Sequence, residues 1–124
     1  MEALNVMVVD DSLITIKKLT VLLNALGHKV VKTAASGSEA LTAYAACNPD
    51  LVTMDITMPD MDGIEATKRI VECYSDALII MVTSHGQEKM VLDALEAGAK
   101  GYVLKPIQQD KLQHVIGQAL KRHK

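Results

Sequence analysis

Four short apolar runs in this chain lead directly into residues able to do chemistry. Asn5–Val9 runs into Asp10-Asp11, Leu51–Met54 into Asp55, Leu78–Val82 into Thr83-Ser84, and Gly101–Leu104 into Lys105-Pro106. Three carboxylates, a hydroxyl and an ammonium gathered at one place would strain one another: close carboxylates repel, and one or more of their pKa values rises unless a cation compensates. Hard oxygen ligands beside open solvent suit Mg2+, which takes one or two carboxylates and keeps several waters. A carboxylate can also attack phosphorus and form an acyl phosphate. A metal and a lysine then offset the charge spread over the phosphoryl oxygens, and a hydroxyl can donate to one of them. Together these residues have the makings of a phosphoryl-accepting carboxylate with its metal and its clamps.

Each member has an ordinary use as well. Asp11 and Ser12 suit the N-cap of a helix. Thr83-Ser84 suits another cap, and Pro106 suits a first helical position with Lys105 merely exposed. Asp55 is harder to place that way, because a charge directly after Leu51-Val52-Thr53-Met54 would be mostly buried and such residues seldom lack a partner. The joint occurrence favours chemistry, since independent capping needs would not have to supply these particular types.

The elements that must position these residues alternate between two periods. β-branched runs at Asn5–Val9, Lys29–Thr33, Leu51–Met54, Leu78–Val82 and Gly101–Leu104 are short, apolar and bounded by polar or turn residues, as buried parallel strands are. Between them lie segments with helical spacing. Leu13–Leu26 carries Ile16, Leu19, Leu23 and Leu26 on one stripe and ends at Gly27, a C-cap signal. Gly37–Ala46 stops before Asn48-Pro49, Ile64–Cys73 follows Asp62-Gly63, Gln87–Ala97 stops at Gly98, and Gln109–Lys121 holds Leu112, Ile116 and Leu120 in line. Strand and helix thus alternate five times, with strand starts roughly 22 to 27 residues apart. Such alternation implies a parallel sheet with helices on both faces and right-handed crossovers. The expected architecture is α/β: one doubly wound (βα)5, flavodoxin-like domain over residues 1–124, its five-stranded sheet in the order 2-1-3-4-5. Ligands of such sheets bind outside the carboxyl ends of the strands where the order reverses, here between strands 1 and 3. Asp10, Asp11 and Asp55 flank that point.

Composition narrows the function classes. The chain has 124 residues and a formal charge of -2, from 13 Lys plus Arg against 15 Asp plus Glu. That length suits one domain able to bury a core without staples. There is no Trp or Phe and only three Tyr, so the core must be aliphatic. Basic residues form no stripe, the densest group being Lys121 to Lys124, which does not support direct nucleic-acid binding. Cys47 and Cys73 lie far apart without a CxxC pattern and suit two reduced thiols. The four His lack metal-ligand spacing. The first apolar run is too short for a signal peptide, and no stretch approaches a membrane span. A cytoplasmic protein with no membrane association is expected.

These residues resemble a known family. Val9-Asp10-Asp11-Ser12, Asp55 followed by Met58-Pro59-Asp60-Met61-Asp62-Gly63, Val82-Thr83-Ser84, and Gly98-Ala99-Lys100-Gly101-Tyr102-Val103-Leu104-Lys105-Pro106 are similar, in order and interval, to the receiver domains of two-component response regulators. The likeness covers essentially the whole chain and is greatest to the stand-alone CheY-like members, the run Val52–Pro59 being particularly like those of chemotaxis. The resemblance implies that Asp55 takes a phosphoryl group from a histidine of a sensor kinase or histidine phosphotransfer protein. It implies that Asp10, Asp11 and Asp55 hold Mg2+, Asp10 through water, with the backbone carbonyl of Thr57. Thr83 would bond a phosphoryl oxygen and move, Lys105 would pair with the phosphoryl group beside a cis bond to Pro106, and Tyr102 would be the switch aromatic. His85, near the site entrance, is either exposed loop filler or a residue that tunes access of water. Helix Gln87–Ala97 has more apolar coverage than one core face needs, and the family's output surface is made by helix 4, strand 5 and helix 5. A flagellar motor switch protein is the leading output partner by resemblance.

Other functions fit less well. An aspartyl-phosphate phosphatase or phosphotransferase of the haloacid-dehalogenase kind wants a second Asp where this chain has Thr57. A nucleotide or flavin module wants a Gly- or Ser/Thr-rich phosphate loop after strand 1, where Asp10-Asp11 would repel phosphate. An unphosphorylated protein-binding domain, or a receiver cut from a longer regulator with a DNA-binding or enzymatic output domain, remains as the alternative. By this account the chain is not an enzyme in the ordinary sense, because it would catalyse only its own phosphorylation and dephosphorylation.

Overall fold

Val6 and Val8 enter one apolar layer and Met7 and Val9 the other, as successive residues of a strand covered on both faces must. In the computed structural model, which describes residues 3–84 and 88–123, five strands do this side by side. They are β1 (Asn5–Val9), β2 (Lys29–Ala34), β3 (Leu51–Asp55), β4 (Ile79–Thr83) and β5 (Gly101–Leu104). They alternate with α1 (Leu13–Ala25), α2 (Gly37–Cys47), α3 (Gly63–Cys73), α4 (Glu88–Ala97) and α5 (Gln109–His123). The sheet is parallel throughout, in the order β2-β1-β3-β4-β5. The expected fold class and strand order are therefore both observed.

The core has two layers. Met7, Val9, Val52, Met54, Ile79 and Met81 pack with α2, α3 and Ala94 of α4, while Val6, Val8, Leu51, Ile80, Val82 and Val103 pack with Leu19 and Leu23 of α1 and Leu112 and Ile116 of α5. Tyr44 is buried against Tyr74, with ring centroids 4.8 Å apart. The buried part of the core is otherwise aliphatic, as the composition requires.

Local signals explain where the helices begin and end. The Ser12 hydroxyl accepts the Thr15 N–H, the Ser36 hydroxyl accepts the Glu39 N–H, and the Asp62 carboxylate accepts the Glu65 N–H at 2.8 Å. After α1, Gly27 takes φ +90°, its N–H bonds the Asn24 carbonyl, and the His28 N–H bonds the Leu23 carbonyl. This paired closure needs a residue tolerant of the left-handed region. Ser12 is thus the cap of α1 and Asp11 is not. Pro106 stands three residues ahead of α5 and does not open it.

Two strands depart from the expectation that all five runs are buried. Of β2 only Ala34 is buried, and of β5 only Val103. Both are edge strands, covered by fewer neighbours than the three central ones.

Two buried polar atoms lack partners among the described residues, Thr53 Oγ1 and His28 Nε2. His28 Nδ1 accepts the Leu4 N–H at 3.1 Å, which leaves the ring proton on Nε2, and burial pushes the imidazole pKa below its ordinary value. Thr53 is 1% exposed in the middle of β3. A buried hydroxyl without a partner carries its desolvation cost uncompensated. Thr53→Val is therefore expected to stabilise the protein by about 1 kcal/mol. Thermal denaturation would show a Tm several degrees higher, and a lower Tm would mean that the hydroxyl is satisfied.

Candidate functional site

The carboxyl ends of β1 and β3 lie side by side because β3 pairs with β1 in the register Val9↔Met54. Each is followed by a carboxylate. Asp10 continues β1 with its N–H on the Ala34 carbonyl and is 1% exposed. Asp55 is the last residue of β3 and is 6% exposed, whereas Asp11 faces solvent. Asp10, Asp11 and Asp55 each offer a carboxylate oxygen within 4.8 Å of the others.

Lys105 closes the cluster from the far side of the sheet. Thr83 at the end of β4 pairs with Leu104 of β5, and the Lys105 N–H bonds the Thr83 carbonyl at 2.8 Å. From there Lys105 Nζ reaches Asp10 Oδ2 at 3.1 Å and lies 3.7 Å from Asp55 Oδ1. The Lys105–Pro106 peptide is cis. Asp10 is held from its other oxygen as well, by the Ser12 N–H at 2.9 Å. Thr83 is 1% exposed.

The electrostatics follow from this packing. Burial pushes the Asp55 carboxyl up, and the Asp10 charge adds to it. Lys105 and the Ile56 N–H pull it back, and Asp11 raises it again. The balance leaves Asp55 at about 6, against an ordinary 3.8. One ammonium does not neutralise three carboxylates.

That imbalance, and an all-oxygen donor set, fit a divalent cation. Ligand oxygens on opposite sides of Mg2+ stand about 4.2 Å apart at its usual bond lengths, close to the span of this cluster. The Thr57 carbonyl, like that of Met58, accepts no main-chain hydrogen bond among the described residues, whereas the Ile56 and Pro59 carbonyls are taken by Gly63 and Met61. Thr57 itself is exposed, two residues beyond Asp55.

The tight path of the chain here depends on glycine. A Cβ on Gly63 would lie 1.9 Å from the Asp55 carbonyl oxygen, so the first residue of α3 can pass the end of β3 only without a side chain.

Tyr102 does not join the cluster. It is 43% exposed on β5, level with Met81, and borders two surface grooves of about 570 and 330 Å³. Leu95 of α4 lines the smaller groove with it, Leu104 lines the larger, and Leu92 of α4 is exposed as well. The surplus apolar residues of α4 are thus partly a surface feature. His85 lies outside the described residues.

Two features of the rim are not evident in the motifs. Leu13 and Ile14, at the start of α1, are 74% and 81% exposed. Ile14 lines a groove of about 210 Å³ with Thr15, Lys18, Lys105, Pro106 and Ile107. The helical stripe could have flagged them, since both fall off the line of Ile16, Leu19 and Leu23. The second feature is a bond from Ser38 of α2 to Asp60, which no local pattern announces.

A doubly wound sheet with an acidic cluster at its switch point, clamped by a lysine from the last strand, defines a class, and the chain belongs to it: it is a member of the response regulator receiver domain family, whose model matches residues 6–117. It is 43% identical over 115 residues to the chemotaxis protein CheY of Bacillus subtilis (strain 168), covering 93% of this chain and 96% of that one. It is 42% identical to the chemotaxis protein CheY of Treponema pallidum (strain Nichols), with 94% and 82% covered. Among solved structures it superposes with a TM-score of 0.89 and 40% identity on a chain of the CheX–CheY–BeF3–Mg2+ complex from Borrelia burgdorferi, covering 94% of this chain and 88% of that one. The protein is accordingly a two-component receiver. No helix among the described residues is long and apolar enough to cross a membrane.

Proposed function

We propose that this receiver serves chemotaxis-type signalling in the cytoplasm. Asp55 accepts a phosphoryl group from a phosphohistidine of a sensor kinase or phosphotransfer protein, and the α4-β5-α5 face passes the signal to an output protein such as a flagellar motor switch component. The observation that carries this reading is the convergence of Asp10, Asp11 and Lys105 on the buried Asp55 carboxylate. The chemotaxis assignment is supported by the relatives of that name, which align over most of their own length.

The steps follow from the groups in place. An Asp55 oxygen attacks phosphorus, the P–N bond to the donor imidazole breaks with its electron pair going to nitrogen, and an acyl phosphate forms. Asp10, Asp11, Asp55 and the Thr57 carbonyl would hold Mg2+, which would supply charge neutralisation for the phosphoryl oxygens. Lys105 exchanges its contact with Asp55 for one with the phosphoryl group, and the Thr83 hydroxyl donates to another of its oxygens. The movement of Thr83 shifts the end of β4, and Tyr102, which begins exposed, turns inward to follow it. Differential affinity of the output partner for that state converts the modification into a signal. Attack by water on phosphorus releases phosphate and returns Asp55 to a carboxylate.

Intact-mass spectrometry after incubation with acetyl phosphate tests the reading. A single phosphoryl adduct that requires Mg2+ is expected. No adduct at any metal concentration would leave only an unphosphorylated binding domain.

A protein donor must reach Asp55 over the rim that Leu13 and Ile14 line. Burial of such side chains contributes binding energy that a small donor does not use. Ile14→Ala is expected to slow transfer from the histidine donor protein about ten-fold, while labelling by acetyl phosphate stays within two-fold of wild type. Equal loss with both donors would place the effect in the site and remove the rim from donor docking.

A further inference from the structure

Thr57 lies on a loop, residues 56–62, that leaves β3 and enters α3. Three contacts hold this loop. Gly63 closes its end on Asp55, with its N–H on the Ile56 carbonyl at 2.8 Å. Met58 is buried in the core layer beneath α2 and α3. The third contact is with the first turn of α2. Ser38 Oγ donates to the Asp60 carboxylate, and a Cβ on Gly37 would come within 2.3 Å of the Met61 carbonyl oxygen. Asp60 adopts φ +74°, a conformation that an L-residue rarely takes without support.

The supporting turn is itself fixed. The Ser36 hydroxyl accepts the Glu39 N–H, and the Glu39 carboxylate reaches back to accept the Ala35 N–H at 3.1 Å. This reciprocal pairing locks the start of a helix. The α2 turn is therefore a rigid post, and Asp60 is the point at which the loop is tied to it. Between that tie and the Asp55 end, the Thr57 and Met58 carbonyls have no main-chain donor among the described residues, and Thr57 is the one of the two that is exposed and nearer in sequence to Asp55.

The geometry points to Ser38 and Asp60 as a positioning pair for the divalent-cation site: their bond holds the 56–62 loop so that the Thr57 carbonyl completes the ligand set of Asp10, Asp11 and Asp55. This rests on the metal reading of that cluster. A ligand carried on a loop that samples other conformations lowers apparent affinity by the fraction of time it is misplaced. Neither Ser38 nor Asp60 belongs to the carboxylate cluster itself.

The test is Mg2+ binding by isothermal titration calorimetry at neutral pH, alongside thermal melts in chelator. Ser38→Ala is expected to raise the Mg2+ dissociation constant on the order of ten-fold, with little change in the chelator melt. Ser38→Thr keeps the hydroxyl and should restore affinity to within two-fold of wild type. Asp60→Ala should weaken binding to a similar degree, and the double variant Ser38→Ala/Asp60→Ala should be no worse than either single one. An affinity for Ser38→Ala within two-fold of wild type, or fully additive losses in the double variant, would overturn the pairing. Wild-type protein that takes up no Mg2+ would overturn the metal reading itself, an outcome distinct from failure of the pair.

Discussion

Asp55→Asn is expected to abolish phosphoryl uptake and to make the metal-free protein more stable. The first effect follows from chemistry: an amide oxygen cannot attack phosphorus to form the acyl phosphate, and no other described carboxylate of the cluster is contacted by Lys105 in the same way except Asp10, whose second oxygen is already bonded to Ser12. The second follows from electrostatics. Burial and Asp10 hold the Asp55 carboxyl at about 6 instead of 3.8. Ionising it in the folded protein at neutral pH therefore costs about 3 kcal/mol more than in the unfolded chain. Asparagine has the same shape without the charge. The attraction of Lys105, 3.7 Å away, is already contained in that value; burying an amide in place of the carboxylate costs back part of the gain, so about 1 to 2 kcal/mol remains. Thermal melts in chelator at pH 7 should show a Tm higher by roughly 5 °C, and intact-mass spectrometry should show no adduct. A lower melting temperature would mean that Lys105 compensates the cluster fully, and an adduct of unchanged stoichiometry would move the acceptor to another residue.

The second large effect is a proton–metal competition. The folded-state pKa of Asp55 is raised, so its contribution to stability is fully present below 3.8 and is lost as pH rises through about 6. His28 has the opposite sign. Its pKa is lowered from 6.5, so the neutral ring favours the fold above 6.5, and that contribution is lost as pH falls below it. Comparing wild type with Asp55→Asn separates the two, because the variant retains only the histidine component. Mg2+ is expected to reverse the Asp55 penalty at pH 7.5: binding to the ionised carboxylates of the folded state would stabilise it by about 2.7 kcal/mol at a hundred-fold excess over its dissociation constant. At pH 5 a proton occupies Asp55 and the gain should shrink. Phosphorylation by acetyl phosphate should fall across the same interval and vanish in chelator. The measurement is a set of melts at pH 5 and 7.5 with and without Mg2+, and equal metal stabilisation at both would exclude Asp55 from the metal site.

Much of this protein is legible in its residue order because the informative signals are local. Period-two apolar runs, helical stripes and turn residues mark each element to within a residue or two, and β-α alternation leaves few sheet topologies for such a chain. Asp55 could be singled out because a charge at the end of an apolar strand needs a partner wherever the strand lies. Ser12, Gly27 and Asp62 act on neighbours three or four residues away, so their capping roles are written in the chain itself.

What packing alone decided are relations between residues distant in the chain. The carboxylates of Asp10 and Asp55 meet only because β3 crosses to the far side of β1, and Lys105 reaches Asp10 across 95 residues of sequence because β5 sets its backbone on Thr83. The exposure of β2 and β5 depends on their being the two edges, a property of the sheet and not of either strand. The bare apolar rim at Leu13 and Ile14 and the tie from Ser38 to Asp60 arise where separate elements approach. The rim shows in the residue order only as two apolar residues off the helical stripe, and the tie leaves no local pattern, because its partners are chosen by position in space. The residues of the acidic cluster and its lysine were therefore written in types and spacing, and their electrostatics, the exposed apolar rim and the Ser38–Asp60 tie came from tertiary contact.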